Sequence, residues 1–370
     1  MESQQNNFGF GIETEHCLLN DKDFSPLFQE DLRFEQLLEL VDSIPVSDFS
    51  TDGFNIKPLH KKANPYLIEG YYLTDADMKP TKMLPKGIEI RTPIAATIDT
   101  TIANLKELTE RLRCKLAQAN MTIASISHHP TAHDFHAPPN YHRHDYWQWA
   151  LTAMTTYGPD MNISIPNSLV DEIDREPLGE KINFYIPSLV ALSFNSPLYD
   201  GGLWTENGIV GKSVRTFKRS AWAPLYYIHT EPALRFEFKG FEMAQNMDDY
   251  KAYFLCGLAM LLDKSLTGRA SDAHRLERLR HLSVNGLSSQ SEKERAALVL
   301  TSAEKIAQRF EMDGSSLKTL WSRLESGVTP ADRVINTFKL NGSIKDTMRS
   351  IVVTPENSAL IRPTSQTLCM

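Results

Sequence analysis

The sequence is poor in cysteine, and what it has is dispersed: Cys17, Cys114, Cys256 and Cys369 form no CxxC pair. That spacing suggests neither a disulfide framework nor a zinc knuckle, and a reducing cytoplasm is the expected setting. Positive charge is also short. Lys plus Arg totals 39 against 46 for Asp plus Glu, a formal charge of -7, so the cation excess needed to bind a phosphate backbone is missing and nucleic acid is not an expected partner. No stretch approaches the ~18 apolar residues of a membrane span, and the polar residues 1–7 do not read as a signal peptide. A soluble protein, neither exported nor membrane-bound, is expected. Gly201-Gly202 and Gly208 mark loops, and no GxxxxGK phosphate cradle is present.

What is present is ordinary globular composition, 41% hydrophobic and 23% charged over 370 residues, with enough apolar material for a sizeable core. One composite catalytic domain is expected. Its divisions are a sheet part over residues 1–264, a helical part over 265–350 packed on it, and an extended tail over 351–370. Apolar residues at steps of three and four predict helices over 32–41, 97–121 and 146–157, and, after the composition changes near 244, over 250–264, 272–282, 291–311 and 315–326. Prolines at 45, 58, 65, 80 and 85 predict mainly loops and short strands over 42–86. Arg269, Arg275, Arg278 and Arg280 read as a solvated helix face. Residues 199–211 read as a mobile loop suited to a lid.

Four separated stretches alternate apolar with polar side chains. In Phe8-Gly-Phe-Gly-Ile-Glu-Thr-Glu the strand period puts Glu13 and Glu15 on one face, opposite Phe8, Phe10 and Ile12. Two carboxylates about 7 Å apart on one strand repel by roughly 2 kcal/mol at an effective dielectric of 20, a cost that a cation removes. Glu89 and Arg91 likewise oppose Ile88 and Ile90; Asn162 and Ser164 alternate with Met161, Ile163 and Ile165; and Arg235, Glu237 and Lys239 oppose Phe236 and Phe238. Taken singly, each stretch reads equally as a solvated strand face. In one sheet, Glu13, Glu15, Glu89 and Glu237 would converge, and hard oxygen ligands favour Mg²⁺ or Mn²⁺. The interleaved Arg91, Arg235 and Lys239 suit the phosphate oxygens of a polyphosphate, while Asn162 and Ser164 can hydrogen-bond a polar ligand.

These stretches, with His129-Pro130, Ala191-Leu-Ser-Phe-Asn-Ser-Pro and Phe236-Glu-Phe-Lys-Gly-Phe-Glu, occur in an order and spacing that resembles the glutamate-cysteine ligase family, over about residues 8–260. Within it, the short bacterial carboxylate-amine ligases are the most similar branch. The resemblance implies an α+β, glutamine-synthetase-like fold, a curved antiparallel sheet with helices on its outer face, and an ATP- and Mg²⁺-dependent ligase joining glutamate to a small amine such as cysteine. It further implies Glu13, Glu15, Glu89 and Glu237 as metal ligands and His129, Ser193 and Arg215 as substrate residues. Arg215, Arg219 and Lys239 are then the cations that steady charge during phosphoryl transfer. Two departures from the family stand out: Asn162 and Ser164 replace an alternating-histidine strand, and Lys239 replaces the Arg of a Glu-x-Arg pair. Small-molecule substrates are the implied partners, and assembly stays open, a homodimer included.

Two other readings compete. His128, His129, His133, His136, His142 and His144 invite a metal-dependent amide hydrolase, although their spacing matches no ligand motif. The Lys239 and Asn162/Ser164 departures keep a non-catalytic nucleotide- or amino-acid-binding regulator in view. Cys17, Trp147 and Trp204 read as packing residues.

Overall fold

The computed structural model describes residues 7–136, 148–220, 223–230 and 233–354. His142, His144, Trp147 and most of the expected tail lie outside these. The chain opens with β1 (Gly9–Asn20), β2 (Pro26–Leu27) and α1 (Phe34–Asp42), then β3 (Tyr66–Thr74), β4 (Pro80–Arg91), α2 (Ile98–Gln118), β5 (Met121–Ala124), α3 (Gln148–Ala153) and β6 (Pro159–Ser164). After α4 (Leu178–Ser193) come two short hairpins, β7 (Leu198–Tyr199) with β8 (Gly202–Leu203) and β9 (Thr205–Glu206) with β10 (Ile209–Val210). Then follow α5 (Val214–Phe217), β11 (Tyr226–His229), β12 (Arg235–Phe238) and α6 (Met247–Leu262). The chain continues through α7 (Asp272–Asn285), α8 (Gln290–Arg309), α9 (Leu317–Ser326), α10 (Pro330–Asn341) and α11 (Ile344–Arg349).

One antiparallel sheet, ordered β11-β12-β6-β1-β4-β3 with β2 and β5 on the far half of β1, organises the molecule. Phe10, Ile12, Ile88, Ile90, Met161, Ile163, Phe236 and Phe238 all point to one side, where they join a single apolar cluster with α2, α4 and α6. This is the α+β sheet-and-helix arrangement that the alternation implied. The stripe of α2 (Ile98, Ile102, Leu105, Leu108, Leu112, Leu116) is buried throughout, and the Thr97 hydroxyl caps the helix by accepting from Thr100 N. Helix α6 is apolar nearly all round because it lies at the centre, against β6, α2, α8 and α9. Helices α8 and α9 extend the same apolar cluster. Among the described residues no helix is long and apolar enough to cross a membrane.

The structure departs from the sequence expectations in three places. Within the stretch expected as mainly loops and short strands, residues 66–74 and 80–86 belong to two long paired strands, since Pro80 opens β4 and Pro85 falls at an irregularity of the β3–β4 ladder, where no regular donor is required. Residues 199–211 are folded as hairpins around the buried Trp204, which packs with Phe217. The arginine cluster is divided: Arg275 and Arg278 are buried, because α7 packs between α4 and α5, while Arg269 and Arg280 are exposed as a solvated face would be. Helices α10 and α11 had no counterpart in the sequence reading.

Candidate active site

Strand pairing builds the site on the sheet face opposite the core. Across β1 and β4, Glu13 stands opposite Arg91 and Glu15 opposite Glu89; across β1 and β6, Glu13 stands opposite Asp160 and Gly11 opposite Asn162; across β6 and β12, Asn162 stands opposite Glu237. Directly opposed residues share a face, so the four expected acids do lie on one surface, in two groups. Glu15 and Glu89 are joined by Glu69 of β3, with ligand oxygens of all three within 4.8 Å of one another. Glu13 and Glu237 belong instead with Asp160 and the Lys239 ammonium, which contacts Asp160 and lies 2.6 Å from Glu237.

The first group carries a buried charge problem. Glu89 is 5% exposed and its Oε1 has no hydrogen-bond partner. Burial, then the neighbouring Glu69, Glu13 and Glu15 carboxylates, push its pKa well above the usual range. Glu15 is raised by burial too, with Lys86 opposing. Three convergent carboxylates, one with an orphaned buried oxygen, fit a hard divalent cation such as Mg²⁺ or Mn²⁺.

Lys86 enters this face through a defect in the ladder. Glu69 pairs with Gly87 and Gly70 with Pro85, so Lys86 is the extra residue on β4. A bulge of this kind re-aims a side chain. Regular alternation would send Lys86 to the core beside Ile88; instead its Nζ donates to Glu15 Oε1 at 3.0 Å and to the carbonyls of Ala153 and Thr156. The adjacent Gly87 packs where a Cβ would stand 2.2 Å from the His16 carbonyl oxygen, so only glycine fits. The second oxygen of Glu15 accepts from Gly158 N.

In the second group, the pKa of Glu13 is raised to about 7, first by burial and then by Asp160, with Lys239 opposing. Glu237 behaves oppositely: despite burial it is held below the usual range by Lys239 and by His229, whose Nε2 lies 2.8 Å from Oε2. The Glu13 shift has a measurable sign. The folded chain holds a proton on Glu13 that the unfolded chain has lost between pH 4.5 and about 7, so this group's contribution falls as pH rises through that window. Relative to the parent, Glu13→Gln is therefore expected to be equally stable near pH 4.5 and more stable, by up to about 3 kcal/mol, above pH 7. Thermal melts of both metal-free proteins across this range test it; a difference independent of pH would exclude the shift. The comparison is differential because buried His16, His128 and His129, with pKa values lowered by burial to about 4, 3 and 4, add an opposing acid sensitivity common to both proteins.

The other expected site residues are placed as follows. Arg235 Nη1 reaches Asn162 Oδ1, and Ser164 stands opposite Arg235, so these three share the polar face. Arg91 donates to the carbonyls of Asn55 and Asn64 and lies over Phe54. Arg215 donates to the carbonyls of Lys239, Gly240 and Phe241, and Arg219 to those of Ala223, Pro224 and Lys239. A guanidinium spent on buried carbonyls anchors main chain, because releasing it would leave those acceptors unpaired. Ser193 Oγ bonds Val190 O and accepts from Glu242 N at the end of α4. His129 is buried against Phe28, its Nδ1 accepting from Ala132 N. The described histidines of the His-rich stretch form no metal-ligand set; His133 pairs at the surface with Asp200. Cys17 is buried, its thiol pushed up to about 12 by burial, consistent with a packing role.

Sequence reasoning missed Glu69, Lys86, Asp160 and His229. Glu69 and Lys86 lay in the proline-marked stretch read as loop, and Lys86 breaks the alternation by the bulge. Asp160 was within reach of the method, since it continues the Asn162/Ser164 alternation by one step.

The class the fold defines is an α+β protein with one antiparallel sheet that carries helices on one side and gathered carboxylates on the other. Three structures carry the same fold over most of this chain. The bifunctional glutathione synthetase from Pasteurella multocida superposes with a TM-score of 0.62 at 12% identity, covering 93% of this chain and 52% of that one. The glutamate-cysteine ligase of Francisella tularensis, solved in complex with AMP, gives 0.61 at 12% identity, covering 94% and 88%. The ligase PafA, in complex with the prokaryotic ubiquitin-like protein Pup, gives 0.54 at 12% identity, covering 98% and 79%. This chain thus spans about half the length of the bifunctional enzyme. No curated protein matches the sequence. The sequence model of glutamate-cysteine ligase family 2 matches residues 9–209, more than half of the chain, and the protein belongs to that family.

Proposed function

We propose that this protein is an ATP-dependent carboxylate-amine ligase that forms an amide bond through an acyl phosphate, with glutamate as the carboxylate substrate and a small amine such as that of cysteine as acceptor. The observation that carries the reading is the Glu15, Glu69 and Glu89 cluster, with its unpartnered buried oxygen, beside the cationic Arg235 and Lys239 on the same sheet face. Family membership and the likeness to an AMP-bound ligase fold support it.

A carboxylate does not acylate an amine in water without activation, so the carboxylate is first phosphorylated by ATP and the amine then displaces phosphate. Glu15, Glu69 and Glu89 would hold Mg²⁺ or Mn²⁺, which when bound supplies neutralisation of the phosphoryl charge. Lys86 opposes the burial-driven rise of the Glu15 pKa and fixes the carboxylate in place by pairing with it. Arg235 and Lys239 present positive charge to the polyphosphate. Asn162 and Ser164 offer neutral hydrogen bonds to the amino-acid substrate. Arg91, Arg215 and Arg219 act one layer back, holding the loops and strand ends that carry these groups.

The test is incubation of the pure protein with ATP, Mg²⁺, glutamate and a panel of amines while ADP, phosphate and amide product are followed. Product formed in step with ADP supports the proposal. No nucleotide turnover with any pair overturns it, and amide hydrolysis without nucleotide would favour a hydrolase.

A further inference from the structure

Lys239 stands between two carboxylates of different strands, contacting Asp160 of β6 and lying 2.6 Å from Glu237 of β12. A third acid, Glu13, is paired directly opposite Asp160. A second divalent ion on this face would have to take its oxygens from this group, and the ammonium already engages two of the three acids. The remaining oxygen of Glu237 is met by His229.

The lysine is also held from behind. Its carbonyl oxygen accepts from both Arg215 Nη2, at 3.1 Å, and Arg219 Nη1, at 3.2 Å, and its amide donates to Leu225 O at 2.8 Å. Gly158 makes room for the Arg215 guanidinium, since a Cβ there would lie 2.2 Å from Nη2. Two buried guanidiniums converging on one main-chain oxygen fix the residue that carries the ammonium, and so reduce the freedom lost when it binds.

We infer that Lys239 is a built-in cation that takes the place of a divalent ion among Glu13, Asp160 and Glu237, leaving Glu15, Glu69 and Glu89 as the single divalent site among the described residues. Arg215 and Arg219 are then positioning residues for that cation. A tethered +1 charge in place of a free +2 ion makes this half of the face independent of metal concentration, and leaves a third ammonium donor for a phosphate oxygen. The inference rests on the proposed metal-binding role of the acidic face.

Mn²⁺ titration of the full chain without nucleotide, read by loss of the free-ion electron paramagnetic resonance signal, tests it. The parent protein is expected to bind one Mn²⁺ per chain, Lys239→Arg one, and Lys239→Met two; Glu89→Gln is expected to weaken the parent's site at least tenfold. Two or more equivalents in the parent overturn the built-in cation while sparing the metal reading, and this result does not depend on any variant folding. One equivalent in a Lys239→Met protein with parent-like circular dichroism also overturns it. No Mn²⁺ bound by the parent overturns the metal reading itself.

Discussion

Glu89→Gln is expected to lower ATP-dependent ligation by about 10³-fold while leaving the metal-free protein more stable than the parent. The two effects have one cause. Glu89 is buried among Glu15 and Glu69 with an unpartnered oxygen, so the metal-free folded chain carries carboxylate repulsion that proton uptake relieves in part and a divalent ion would relieve further. An isosteric amide removes one charge, keeps the volume, and weakens the site for the ion that supplies charge neutralisation. The metal-free gain is about 2 kcal/mol, from charges under 5 Å apart at an effective dielectric of 20, discounted for partial protonation. Steady-state ligation rates and metal-free thermal melts measure both. A variant within tenfold of parent activity would remove Glu89 from the reaction, and a variant both slower and less stable would mean that Glu89 serves packing.

Arg278→Ala should cost up to about 3 kcal/mol of folding stability, because it removes the two-pronged partner of a buried carboxylate and leaves Glu292 only Arg295, at 2.6 Å, and the Ser188 hydroxyl. Arg278 makes a two-pronged pair with Glu292, Nε at 2.8 Å and Nη2 at 2.7 Å, and also donates to the carbonyl of Phe184. Both side chains are about 8% exposed. The pair joins α7 to α8 and, through Ser188, to α4, so it fastens the C-terminal helices onto the helix that backs the sheet. Replacing both partners by apolar residues of similar volume (Arg278→Met with Glu292→Leu) should recover part of the loss, since the penalty lies in the under-compensated carboxylate while Arg295, which also pairs with Glu292, is partly exposed to water. Urea unfolding midpoints at constant slope measure each step; a single-variant cost under about 1 kcal/mol would mean that water reaches the pair.

The polar face was legible in the sequence wherever a strand runs regularly. Glu13 and Glu15, Glu89 and Arg91, Asn162 and Ser164, and Arg235, Glu237 and Lys239 were all assigned to it from a two-residue period, and β-pairing puts them there. Local regularity failed at the bulge. Lys86 faces Glu15 because one extra residue in β4 reverses its side chain, and neither its type nor its spacing carries that information. The arginines show a second limit. Arg215 and Arg278 look like surface cations, but a guanidinium that finds carbonyl or carboxylate acceptors in the interior can be buried, and those acceptors, Lys239, Gly240 and Phe241 for Arg215 and Phe184 and Glu292 for Arg278, come from other segments of the chain.

By itself, the sequence determined which side chains alternate on each strand, that a large apolar core must back the sheet, and that acidic and cationic groups share its other face; these follow from the geometry of a single strand or helix. Only the tertiary structure decided how the acids divide. Strand order and register set Glu69 beside Glu15 and Glu89, and Asp160 and Lys239 beside Glu13 and Glu237, because electrostatic partnership depends on distances of a few ångströms between segments that local periodicity leaves free.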